Sequence, residues 1–144
     1  MAMRSIRLTA AAAAAGIAAA LLGVVSVLPA AAAESPATAR DGVCDPGEFC
    51  YYWGFDLYGS VSDFTVSVGN YGTTEPTCYD FKGPGDGQGE CIKNNAASVW
   101  NRSGTSVTVY YNSGFAGYSE TFPPGAQANL DGTLVFNNAS HKFN

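Results

Sequence analysis

Cys50-Tyr51-Tyr52-Trp53-Gly54-Phe55-Asp56-Leu57-Tyr58-Gly59 is the stretch that decides how this chain folds. Phe49, Tyr51, Tyr52 and Trp53 crowd its opening with aromatic rings, the composition of a half-buried pleated strand. The chain then turns at Gly54 and arrives at Gly59, giving the spacing Tyr-x4-apolar-x-Gly from Tyr52. The same spacing returns 58 residues later in Tyr110-Tyr111-Asn112-Ser113-Gly114-Phe115-Ala116-Gly117, with Phe115 in the place of Leu57. The pattern predicts a folded-over hairpin, in which a ring lies on the turn and glycine takes the left-handed or crowded backbone position beneath it. Two copies predict a duplicated supersecondary unit.

Outward from these copies the chain reads as short strands. Residues 64–68 alternate apolar and hydroxyl side chains and predict a second strand with one wet face. Residues 69–88 read as a loop with a short strand inside it at 78–81, and Lys82 to Glu90 is its most glycine-rich part. Residues 97–101 close the first half. The second half opens with 106–110, continues with 118–122, and places 127–130 and 133–136 on either side of Asp131-Gly132, a hairpin signal. The tail, 140–144, adds a closing strand. Asn94-Asn95-Ala96 is echoed by Asn137-Asn138-Ala139, so an aromatic–glycine motif begins each half and an Asn-Asn motif ends it. No stretch after the amino-terminal segment keeps a helical period. The expectation is all-β: a disulfide-stapled sandwich, each half supplying one four-stranded Greek key and the two packing face to face.

The amino terminus is expected to be an export signal over residues 1–33. Arg4 and Arg7 precede an alanine- and leucine-rich run, and Ala31-Ala32-Ala33 offers a cleavage site. A flexible leader, 34–43, and one domain, 44–144, complete the expected organisation. Cleavage leaves 111 of the 144 residues, and five of the seven basic residues against all twelve acidic ones, a net charge of −7. An acidic, monomeric, exported domain of this kind is a poor partner for nucleic acid or an anionic membrane. Cys44, Cys50, Cys78 and Cys91 make an even set in a small exported chain, which reads as two disulfides with three possible connectivities. Cys44–Cys50 with Cys78–Cys91 is favoured, because each pair closes a short loop around turn residues. Zinc spacing is absent from the cysteines.

The Tyr-x4-apolar-x-Gly copies resemble the Greek-key signature of βγ-crystallin domains, the second copy fully and the first with Leu57 in the aromatic position. The mature chain is also similar to the Streptomyces metalloproteinase inhibitor family, small exported proteins of βγ-crystallin fold. That resemblance rests on the export segment, on Cys44-x5-Cys50 with Pro46-Gly47 inside, on the adjoining tyrosine strand and on Pro124-Gly125-Ala126-Gln127. It implies that a rigid, disulfide-held loop blocks an extracellular metalloprotease. The family carries its reactive bond in a cysteine loop of the later half, where this chain has no cysteine. The nearest counterpart is the Cys78–Cys91 loop, with Tyr79, Phe81 and Lys82 as exposed candidate contacts.

Asn94, Asn95 and Ser98 resemble the βγ-crystallin calcium motif, with Val99 in its last position and neutral amides where carboxylates would bind a cation more tightly. In the second copy His141 falls where the hydroxyl belongs. The alternative function is therefore a non-inhibitory extracellular crystallin-type module, weakly calcium-binding or killer-toxin-like, and no other cofactor is expected. Catalysis has little support. No nucleophile elbow, zincin motif or phosphate loop occurs, and the lone histidine, His141, lies near a chain end where fraying is common.

Overall fold

The computed structural model describes residues 39–144; the expected export segment and the first part of the leader lie outside the described residues. Seven strands form two antiparallel sheets: β1 (Phe49–Tyr52), β2 (Val61–Phe64), β3 (Ser98–Asn101), β4 (Val107–Asn112), β5 (Ala116–Phe122), β6 (Gln127–Asn129) and β7 (Ser140–Phe143). The first sheet runs β2-β1-β3-β6 and the second β5-β4-β7.

Alternation along each strand builds the core between them. Phe49 and Tyr51 on β1, Phe64 on β2 and Val99 on β3 point inward to meet Val107 and Val109 of β4, and all are buried. Tyr71, Phe81, Ile92, Leu130 and Leu134 fill the ends from the long connections. Cross-strand register pairs Phe49 with Phe64 and Cys50 with Asp63, so the odd residues of β1 face the core and Cys50 faces outward.

The two Greek keys do not each keep to one sheet. β6 belongs to the second half but pairs with β3 of the first, and Val68 of the first half bridges His141 on β7 of the second. Each half thus lends one segment to the other sheet, β6 from the second half and the bridge at Val68 from the first. Two local expectations are corrected. Strand β2 ends at Phe64, because residues 65–68 leave the first sheet to reach β7. Residues 133–136 are not a strand: Asp131 Oδ1 accepts bonds from Thr133 N and Leu134 N, both 2.9 Å, and Asp131 O accepts from Val135 N. The aspartate caps a helical turn where a hairpin was expected.

Residues 40–43, expected in a flexible leader, are docked. Asp63, buried on the outer face of β2, accepts Asp41 N at 3.0 Å and Gly42 N at 2.8 Å. Arg40 lies over the Phe64 ring, 4.5 Å from its centroid, donates to Ser62 Oγ and reaches Asp80 O at 2.8 Å. A strap with this many partners begins the folded unit before Cys44.

Candidate functional site

Two disulfides close the expected short loops, Cys44–Cys50 and Cys78–Cys91. The second, spanning 13 residues, contributes about 3 kcal/mol by restricting the unfolded chain. Its loop is also tied from within. Phe81 N donates to Glu90 O and Gly89 N to Phe81 O, both at 2.9 Å, while Lys82 N and Gly83 N both donate to Val61 O. The turn of the first motif clamps the loop from below: Ser60 N donates to Asp86 O at 2.8 Å, Tyr58 Oη to Asp86 Oδ2 at 2.6 Å, and Trp53 Nε1 to Glu90 Oε2 at 2.8 Å. What remains exposed is a stiff ridge, residues 84–90 except the half-buried Gly87.

Of the three candidate contacts in this region, two face solvent. Tyr79 is 38% exposed, and its ring packs on Phe64 with centroids 5.6 Å apart. Lys82 is exposed and pairs with Asp80 at 2.8 Å. Phe81 is fully buried and belongs to the core, which corrects its reading as an exposed contact. Phe81 points away from its neighbours Asp80 and Lys82, as extended backbone around the Asp80–Cys91 bridge requires, and so enters the core, while Tyr79 on the same side is only partly covered by Phe64. Glu75 Oε1 lies 2.9 Å from Cys78 Sγ, but both sulfurs are held in the disulfide and offer no thiolate to a metal.

Asn94, Asn95 and Ser98 lie together on the run into β3, and two of the three are engaged with backbone. Asn95 Nδ2 donates to Cys91 O at 2.8 Å; Ser98 Oγ donates to Gly54 O at 2.6 Å and accepts Leu57 N at 3.0 Å. Asn94 is exposed with φ 61°. The second half repeats the arrangement through Asn137 Nδ2 to Thr133 O and through Ser140 Oγ, which donates to Asn112 O and accepts Phe115 N. Ser140, not His141, is therefore the counterpart of Ser98. Phe136, with φ 57°, is the counterpart of Asn94, so the Asn-Asn echo is one residue out of structural register. Asn94 N bonding Asn138 O and Phe136 N bonding Ala96 O, both at 2.9 Å, are the mutual contacts of this pseudo-two-fold.

His141 is buried, not frayed. Its Nε2 faces Val66 O at 2.9 Å; a carbonyl can only accept, so Nε2 carries the proton. Nδ1 then accepts from Tyr71 Oη at 2.7 Å, and Tyr71 in turn accepts from Tyr51 Oη at 2.7 Å. The chain of bonds fixes one neutral tautomer inside a cage of Phe49, Phe64 and Phe143, and burial lowers the pKa to about 4. Such a histidine holds sheets together and cannot reach a substrate. Glu48 is buried as well. Its Oε2 accepts Asp45 N at 2.8 Å, its Oε1 has no partner, and burial raises its pKa to about 7. Sequence reasoning missed Glu48; its only sign was a carboxylate between the two cysteines of a very short loop.

These features define the class: a crystallin-type β-sandwich whose exposed loop is stapled and internally bonded. The chain belongs to peptidase inhibitor family I36, whose model matches residues 37–122. Among solved structures it is similar to a βγ-crystallin from Ciona intestinalis, at 17% identity, covering 68% of this chain and all of that one with a TM-score of 0.50. It is also similar to a structure concerned with the evolution of the eye lens βγ-crystallin domain fold, at 14% identity, covering 75% of this chain and 89% of that one with a TM-score of 0.51. At these identities the likeness establishes the fold alone. No curated protein matches the chain by sequence.

Proposed function

We propose that this chain is an exported, monomeric inhibitor of an extracellular metalloprotease, and that it presents the segment from Tyr79 to Glu90 to the enzyme. The observation that carries this reading is the exposed ridge of residues 84–90, stapled at its base by Cys78–Cys91 and clamped by Trp53 and Tyr58, in a member of a peptidase inhibitor family. A loop already ordered before association loses little conformational entropy on binding, and a bond held in fixed geometry resists cleavage. Tyr79 and Lys82 supply an apolar contact and a charge beside the ridge, whereas Phe81 supports it from the core.

The test is titration of thermolysin with residues 34–144, disulfides intact. Protease activity is expected to fall linearly and vanish near one equivalent. Tyr79→Ser and Lys82→Ser are expected to weaken inhibition about ten-fold or more in chains that still fold cooperatively, the scale of a substantial interface contact. Full thermolysin activity in the presence of excess chain would rule out this target. Inhibition unchanged by both substitutions would move the contact elsewhere on the surface.

A further inference from the structure

A second surface stands out beside the first-motif turn. Phe55, Tyr118 and Phe136 are 49%, 51% and 47% exposed, large apolar groups that the fold leaves in water. Phe55 and Phe136 stack edge to face, 5.8 Å between centroids. Each end of the cluster pairs a ring with a fixed carboxylate. Asp56 follows Phe55 and is locked by Asn129, whose Oδ1 accepts Asp56 N at 2.8 Å and whose Nδ2 donates to Asp56 Oδ1 at 3.0 Å. Asp131 accepts the Tyr118 hydroxyl, and its backbone N donates to Glu120 Oε2 at 3.2 Å. A cleft of about 320 Å³ opens beside Asp56 and Leu57, walled by residues 127–129. The segments that build the surface, residues 54–58, 116–122 and 127–137, contain no lysine or arginine.

We propose that Phe55, Asp56, Tyr118, Glu120, Asp131 and Phe136 form a docking surface for an arginine-bearing polypeptide segment. The chemistry selects that partner. An aromatic face beside a carboxylate accepts a cation twice, through the ring quadrupole and through charge-assisted hydrogen bonds. A guanidinium is planar, so it can lie on a phenyl ring while its in-plane N–H groups reach the neighbouring oxygen; a lysine ammonium can satisfy only one demand well. Two ring–carboxylate pairs, Phe55 with Asp56 and Tyr118 with Asp131, are linked through the turn that Asp131 opens, which leads to Phe136 and its stack on Phe55. They match two arginines of one chain better than a single small cation. The proposal does not depend on protease inhibition: a chain that fails to inhibit thermolysin still presents this surface.

The experiment is a nuclear magnetic resonance titration of residues 34–144, disulfides intact, with a blocked tetra-arginine peptide in about 0.15 M salt, where diffuse attraction between exposed charges is screened. Saturable shifts are expected, confined to residues 55–57, 118–120 and 129–136. A tetra-lysine peptide is expected to bind about ten-fold more weakly. Phe55→Ser with Phe136→Ser keeps every carboxylate and is expected to reduce the preference for arginine to nearly nothing. Asp56→Asn keeps the left-handed backbone that asparagine tolerates and is expected to weaken tetra-arginine several-fold, a second arm should the double variant lose its fold. Three outcomes would each overturn the proposal: shifts spread equally over Asp41, Asp45 and Asp80, equal affinity for the two peptides, or undiminished binding by the substituted chains.

Discussion

His141 and Glu48 are both closed off from water, and they bend the pH dependence of stability in opposite directions. His141 falls from 6.5 to about 4 on folding. Between those values the unfolded chain binds a proton that the folded chain refuses. Its stabilising effect is therefore complete above pH 6.5 and is lost as the pH falls toward 4, about 3 kcal/mol in all. Glu48 rises from 4.5 to about 7. Here the folded chain holds the extra proton, so the contribution is present below pH 4.5 and is lost as the pH climbs through 7. In the window the two share, one slope offsets the other. Glu48→Gln should expose this. Urea unfolding of the variant is expected to show no gain over the natural chain near pH 4.5, a growing gain up to pH 7, and a steeper rise of its own stability with pH than the natural chain displays. A gain independent of pH would mean that Glu48 titrates alike in the folded and unfolded chains. The His141 imidazole resonance should also stay at its neutral position down to about pH 5.

At the scale of single elements, the loop and the strap explain each other. Gly87 lies against the Trp53 ring with φ +85°, and a Cβ built there would stand 2.1 Å from Trp53 Cδ1. Trp53 cannot retreat without giving up its bond to Glu90. Gly89 has nearly the same φ but open space around it. Gly89→Ala is therefore expected to cost only the left-handed backbone penalty, about 1 kcal/mol, whereas Gly87→Ala should cost more than about 2 kcal/mol and free the loop, measurable as faster amide exchange at Gly89. The strap supports the same loop from its other side. Arg40→Ala removes the guanidinium from Ser62, Asp80 and the rings of Phe64 and Tyr79. It should accelerate exchange at Lys82 and Gly83 while leaving Val107 and Val109 protected; equal acceleration everywhere would make Arg40 a general stabiliser, not a support of the loop. Neither dependence was legible in sequence, because Arg40 meets Asp80 across 40 residues of separation. What was legible was local. Tyr-x4-apolar-x-Gly marked both folded hairpins because all its requirements fall within eight residues. Even there, the left-handed backbone at Leu57, φ 60°, and Phe115, φ 58°, was hidden, since apolar residues do not announce it.

For the molecule as a whole, the exchange of β6 and the Val68 bridge between the halves decides which units can exist alone. A duplicated sequence invites the picture of two small sheets pressed together, and periodicity cannot correct it, because a strand pattern does not say which sheet the strand will join. Here the pattern around 127–129 was legible, and its partner was not. β6 covers the free edge of β3, Ser98 against Asn129 and Val99 against Ala128, while Val68 performs the matching task at β7. Leu130 and Leu134 of the second half sit in one core with Phe49, Tyr51 and Phe64 of the first, and His141 is caged chiefly by first-half rings. Neither half, cut between Ser103 and Gly104, keeps a closed sheet edge or a complete core. Residues 39–103 alone are expected to show no cooperative thermal transition and poorly dispersed amide resonances, even with both disulfides formed. Adding residues 104–144 should restore the dispersion, because the missing edge strand and the buried leucines arrive together. A first half that melts cooperatively on its own would show that β6 decorates a sheet already stable, and the exchange would then be an accessory of the fold and not its organising constraint.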